Sequence, residues 1–179
     1  METLDTINKR KSIRGYESKD IEKEKLDTLL DVANKAPNAG PFQLTVIQNK
    51  DLLNRINVAT KDFMLNSGNE FFESRAKIPG YEPMYGAPCM IIFSAPEEGF
   101  GQVNCACSAT TMILEATDLD LGSCYVVSPV IALGANPELA KKLNLPEGFT
   151  PVCGVLLGYA NGEGFPSTGR EEVDNINYI

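Results

Sequence analysis

The chain has 179 residues, 43% hydrophobic and 22% charged, which suits one folded domain with a real core rather than a disordered segment. A formal net charge of −8 argues against nucleic acid or an anionic membrane as a partner of the whole molecule. There is no histidine, which removes Ser-His-Asp and Cys-His nucleophiles, histidine-containing zinc sites and imidazole acid–base chemistry.

In chain order, a short helix is expected over the first residues, with Leu4 and Ile7 on one face. The basic run Lys9-Arg10-Lys11-Ser12-Ile13-Arg14-Gly15-Tyr16 follows. A second helix starts near Ser18 or Asp20, either of which can cap it. Its stripe is Leu26, Leu29, Leu30 and Ala33, and Pro37 ends it. Ala36 to Pro41 reads as a loop and Phe42 to Gln48 as a strand. Asp51 to about Ala59 is helical, with Leu52, Leu53 and Ile56 inward. Beyond it, Phe63, Met64, Phe71 and Phe72 suggest helix, and Pro79 to Pro83 an irregular crossing. Cys89 to Phe93 is almost wholly apolar, as in a strand covered on both faces.

Val103 to Leu119 reads as a helix with little polar face, which must be buried on most sides. In so short a chain a second subunit is a natural cover. Ser123 to Val127 and Val152 to Leu157 are strands, and Asn136-Pro137-Glu138 opens a helix between them. Residues 160–179 form a polar tail ending in Ile176, Tyr178 and Ile179. Strands and helices without a βαβ rhythm indicate an α+β fold around one mixed sheet. No internal repeat, dinucleotide-binding glycine fingerprint or P-loop is present.

The five cysteines include a CxC, Cys105 and Cys107, but no CxxC. Two positions apart on a helix they point in different directions, so all five read as reduced, buried thiols with no metal site. Free thiols suit a cytoplasmic protein. The N-terminus lacks the pattern of a secretory signal, and no apolar stretch approaches the roughly 20 residues that span a membrane.

Chemistry is concentrated in the basic run. Arg10, Lys11 and Arg14 with Ser12 supply guanidinium forks and a hydroxyl suited to a phosphate monoester, although the run by itself also fits a solvated basic face. Several pieces, in order, resemble the FMN-dependent nitroreductase family from about Ile7 to Arg170. They are Arg10-Lys11-Ser12-Ile13-Arg14-Gly15-Tyr16, Ala36-Pro37-Asn38-Ala39, Ala87-Pro88 before an apolar strand, Leu119-Asp120-Leu121-Gly122-Ser123-Cys124-Tyr125, and Pro151 to Tyr159.

The resemblance implies a single α+β sandwich over 1–179, with a mixed, mainly antiparallel sheet flanked by helices and an intertwined homodimer with 160–179 on the partner. It implies that Arg10, Lys11, Ser12 and Arg14, joined by Arg170, hold the FMN phosphate and ribityl chain. Asn38 and Gly40 line the flavin, and Cys124, Tyr125 and Val126 run along its ring. It also implies transfer of two electrons from NADH or NADPH, through flavin N5, to a small electron-poor acceptor such as a nitroaromatic or quinone. No side chain is an obligatory catalyst in this reading; Tyr125 is the nearest candidate proton donor, with packing as its plainer role. The chain departs from the family at a shorter Gly40-Pro41-Phe42-Gln43 segment, at Asn104, at Thr110-Thr111 and at Asp120, where a glycine is usual. A flavin carrier or sensor without turnover, or a relative with different flavin chemistry, are the alternatives these departures motivate.

Overall fold

Every residue from Cys89 to Ala95 is buried, and this run is the centre of the molecule. It forms most of β2 (Cys89–Pro96), flanked by β1 (Gln43–Ile47) and β4 (Phe149–Gly158), while β3 (Gly122–Val126) pairs with the far side of β4. The order is β1-β2-β4-β3 and all three pairings are antiparallel. Among the described residues, the expected parallel component is a single bridge from Ser12 to Ser123 on the outer edge of β3. The computed structural model describes residues 2–162, 164–165 and 175–179.

Side-chain alternation divides the core between the faces of the sheet. On one face Ile91, Phe93, Cys153, Val155 and Leu157 meet α2 (Lys23–Asn34), through Leu26, Leu29 and Ala33. The same face meets α5 (Gly101–Asp118) through Cys105, Ala109, Met112 and Ala116. On the other face Met90, Ile92, Cys124, Val126 and Leu156 meet Leu53 and Ile56 of α3 (Lys50–Leu65) and Leu133 of α6 (Ser128–Gly134). A third cluster, around Met64, Ala76 and Tyr81, packs α4 (Glu70–Ala76) against the end of α3. α1 (Thr3–Lys9) buries only Thr6; Leu4 and Ile7 share an exposed face.

Several boundaries differ from the sequence reading for identifiable reasons. α2 is capped by neither Ser18 nor Asp20: it starts at Lys23, and its N-cap, Glu22, makes no side-chain capping bond. Ile21 is drawn into the core just ahead of the helix, and the Glu22 carboxylate is held by Tyr159 and Lys19. α3 continues past Ala59 because its inward stripe runs on through Thr60 and Met64. β4 begins at Phe149, with Pro151 accommodated where the register shifts opposite Phe93 and Ser94. α6 is too short for its periodicity to register in the sequence. α7 (Pro137–Ala140) starts as read, with Asn136 Oδ1 accepting from the Leu139 amide at 3.1 Å.

α5 enters the core through Gly101. A β-carbon there would lie 2.7 Å from both Ala95 Cβ and the Pro96 carbonyl oxygen. Alanine in place of glycine favours a helix by about 1 kcal/mol, whereas overlap with fixed backbone costs about 1–3 kcal/mol. At the first residue of the helix only part of that preference applies, so overlap wins and Gly101→Ala should lower stability by about 1–2 kcal/mol in urea unfolding; an unchanged or raised midpoint would refute the close contact.

Candidate functional site

The basic segment is held by backbone bonds along the outer edge of β3. Ile13 donates its amide to the Ser123 carbonyl at 2.9 Å, and Ser12 bridges Ser123 in parallel. The chain then turns to the end of β4, where Tyr16 pairs with Ala160 and the Glu17 amide donates to Tyr159 at 2.8 Å. The start of the tail closes over it: Asn161 N–H donates to Gly15 at 3.2 Å and Phe165 N–H to Arg14 at 2.8 Å. Gly15 is needed because a β-carbon would sit 2.6 Å from Gly164 Cα.

The turn from α5 into β3 explains Asp120. The Leu121 amide bonds Ala116 at 2.8 Å and the Asp120 amide bonds Thr117 at 3.3 Å, the paired pattern of a Schellman cap. That cap puts Asp120 at φ 55°, where glycine is usual. Its carboxylate meets Lys9 Nζ at 2.7 Å, which lowers the Asp120 pKa.

Lys9 is therefore engaged with Asp120, Lys11 is exposed, and Arg10, Ser12 and Arg14 are half-buried. The structure brings these last three together around Cys124. Burial pushes the Cys124 thiol pKa up, while Arg14, a hydrogen bond from Ser12, Arg75 and Arg10 pull it down. Arg14 Nη1 is fully buried and has no hydrogen-bond partner. A buried cationic donor without an acceptor is costly, and a bound anion is the natural remedy. Tyr16 lies in the same group; its phenol pKa is raised well above the usual value, first by burial.

Arg75 and Tyr85 are the residues here that the sequence did not flag. Arg75, on α4, donates through Nη2 to Tyr85 Oη at 3.2 Å and lies 5.1 Å from the Tyr81 ring and 5.2 Å from the Phe165 ring. Tyr85 sits at φ 52°, a conformation uncommon for a bulky side chain and typical of strained functional positions. Neither residue belongs to a local motif.

The loop bearing Asn38 and Gly40 lies against α5, on the opposite face of the sheet from Cys124. Asn104, buried at the start of α5, clasps it twice: Oδ1 accepts from the Ala39 amide at 2.9 Å and Nδ2 donates to the Ala39 carbonyl at 3.2 Å. Gly40 takes φ 116°. Asn38 is exposed and donates to the Ala36 carbonyl at 3.1 Å. Val126 is buried on the Cys124 face. Tyr125 points the other way, about two-fifths exposed, and burial and a hydrogen bond with Cys153 raise its phenol pKa. Arg170 lies outside the described residues.

The description of the Nitroreductase family fits residues 7–159. The chain belongs to that family. Two solved structures are similar over its whole length. A nitroreductase with bound FMN from Desulfitobacterium hafniense is 27% identical, covers 100% of this chain and 98% of its own, and superposes with a TM-score of 0.89. A nitroreductase with bound FMN from Bacteroides fragilis is 25% identical over 100% and 99% of the two chains, with a TM-score of 0.85. The fold is shared more widely: an iodotyrosine deiodinase superposes with a TM-score of 0.77 at 22% identity, over 99% of this chain and 98% of that one.

In this nitroreductase-family chain, the Asn104 clasp generates a prediction. Asn104→Ala removes both bonds to Ala39 and leaves its backbone groups without their partner, a change worth about 1–3 kcal/mol. Hydrogen exchange should then show the Ala39 amide losing protection while β2 amides keep theirs; retained protection at Ala39 would disprove the clasp.

Proposed function

We propose that the protein is an FMN-dependent oxidoreductase that carries two electrons from NADH or NADPH to a small electron-poor acceptor, a nitroaromatic, a quinone or a related compound. The single observation that carries this reading is the unpaired, buried Arg14 Nη1 beside Arg10 and the Ser12 hydroxyl. A phosphate monoester supplies the missing acceptors. The FMN bound in the two similar nitroreductases is a ligand of this chemistry.

When bound, FMN supplies a two-electron carrier at its N5 atom. The chain's own work is binding, orientation and electrostatics. Arg10, Ser12 and Arg14 grip the phosphate, Lys11 lies beside them at the surface, and Arg170 is assigned to the same phosphate by the family resemblance alone. Tyr125 is protonated at neutral pH, as an ordinary phenol is, and its raised pKa keeps it so to higher pH. It packs beside Cys153 and is not assigned a proton-transfer step.

The reading includes a homodimer. Within one chain the Asn38–Gly40 loop and the Cys124 face lie on opposite sides of the sheet, so a second copy is needed for both to reach one cofactor. α5 also leaves Val103 61% exposed, and Phe100 just before it is 65% exposed. The apolar tail residues Ile176, Tyr178 and Ile179 are exposed too. No helix among the described residues is long and apolar enough to cross a membrane. We place the protein in the cytoplasm, where its thiols remain reduced.

The purified protein should be yellow, release FMN on denaturation, sediment as a dimer, and oxidise NADH or NADPH when given a quinone or nitroarene. Arg10→Ala with Arg14→Ala should weaken FMN binding more than about 100-fold, since each lost charge-assisted bond is worth about 1.5–3 kcal/mol. Undiminished FMN affinity in the double variant would overturn the phosphate assignment. Bound FMN with no nicotinamide oxidation would overturn the electron-transfer reading.

A further inference from the structure

The site contains a third guanidinium that no local motif announces. Phe165 links it to the basic segment: its amide donates to the Arg14 carbonyl at 2.8 Å, and its ring lies 5.2 Å from Arg75 Cζ. The Tyr81 ring meets Phe165 edge-on at 5.2 Å and lies 5.1 Å from Arg75 Cζ. Arg75 is thus held between two aromatic faces, a favourable seat for a guanidinium. Its Nη2 is directed by the Tyr85 hydroxyl at 3.2 Å, and Tyr85 is itself held at φ 52°. Among the described residues no carboxylate is paired with Arg75. Like Arg14, it carries a charge that no acidic residue among the described residues compensates.

Building on the proposed FMN reading, we propose that Arg75 is a third arm of the phosphate site, a binding residue delivered from α4 and positioned by Tyr85 and Phe165. The positive charges of Arg14, Arg75 and Arg10 all act on the Cys124 thiol, as does the Ser12 hydroxyl, so an anion near that thiol lies in the field of all three guanidiniums. A phosphate monoester offers three peripheral oxygens, enough for guanidinium groups converging from different directions. The arm also ties α4 and the Tyr81–Tyr85–Phe165 cluster to the ligand, so that binding orders elements outside the sheet.

The test titrates apoprotein with FMN and with riboflavin, which lacks the phosphate, by flavin fluorescence. Wild type must bind FMN; if it does not, the proposed function fails and Arg75 is not at issue. Given that binding, Arg75→Gln should weaken FMN about 10- to 100-fold and change riboflavin affinity less than twofold. Inorganic phosphate should raise the melting temperature of wild-type apoprotein, and raise it less in the variant. Unchanged FMN affinity, or an equal loss for FMN and riboflavin, overturns the assignment. If Arg75→Gln does not fold, Arg75→Lys is titrated in its place. Selective weakening of FMN then supports the arm, because the planar fork is gone while the charge remains, and unselective or absent weakening overturns it.

Discussion

The hydrogen bond from Ile13 to Ser123 is the constraint on which the site depends. Four cations within six residues repel one another and have no reason of their own to gather. They are held near each other because their backbone docks on the outer edge of β3 and is then covered by the start of the tail. The same docking occupies an edge that would otherwise be open for pairing with another strand. Gly15 and Gly122 allow the close approach: β-carbons there would meet Gly164 and the Ile13 side chain at 2.6 and 3.0 Å. The segment that closes the sheet edge is therefore also the one proposed to bind the anion.

Charge compensation then separates the anchoring cation, Lys9, from the guanidiniums of Arg14 and Arg75. Lys9 is matched by Asp120, an exposed pair that solvent screens and that fixes position more than it stabilises. Arg14 and Arg75 have no such partner among the described residues. In a chain with net charge −8, carboxylates are abundant, so leaving two guanidiniums unpaired at one place is a local property and not a shortage of acids. Such a place favours a dianion over the protein's own monovalent carboxylates.

What could be read from the sequence follows how local the cause is. β2 was legible because a strand covered on both faces has a continuous apolar run, and α7 because Asn-Pro-Glu is a helix start in itself. The Arg-x-Ser-x-Arg cluster was legible because its members are neighbours in the chain. The start of α2 was not, since burial of Ile21 and the grip of Tyr159 on Glu22 are long-range effects. Arg75 was invisible for the same reason: its meaning comes from Phe165, ninety positions away in the chain, and from the backbone twist at Tyr85. Asn104 could be noticed as a departure from the family pattern, but its clasp on Ala39 required the fold.

β3 also sets the geometry from which the proposed homodimer is argued. Successive residues of a strand face opposite ways, so Cys124 looks toward the arginines and Tyr125 toward α5. A flat cofactor lying along such a strand can be gripped at its phosphate end by the near face, while the Asn38–Gly40 loop, clasped to α5, stands on the far face. The phosphate end depends on backbone seams that Gly15 and Gly122 permit. The far wall depends on loop length, on the positive φ of Gly40 and on what lies at the start of α5, and two of this chain's departures from the family pattern, the short Gly40-to-Gln43 segment and Asn104, fall there. Because the fold is shared with an iodotyrosine deiodinase, architecture does not choose the substrate. In the proposed site, the loop and α4 are the two elements that approach from outside the sheet, and they are where a difference in substrate is best sought.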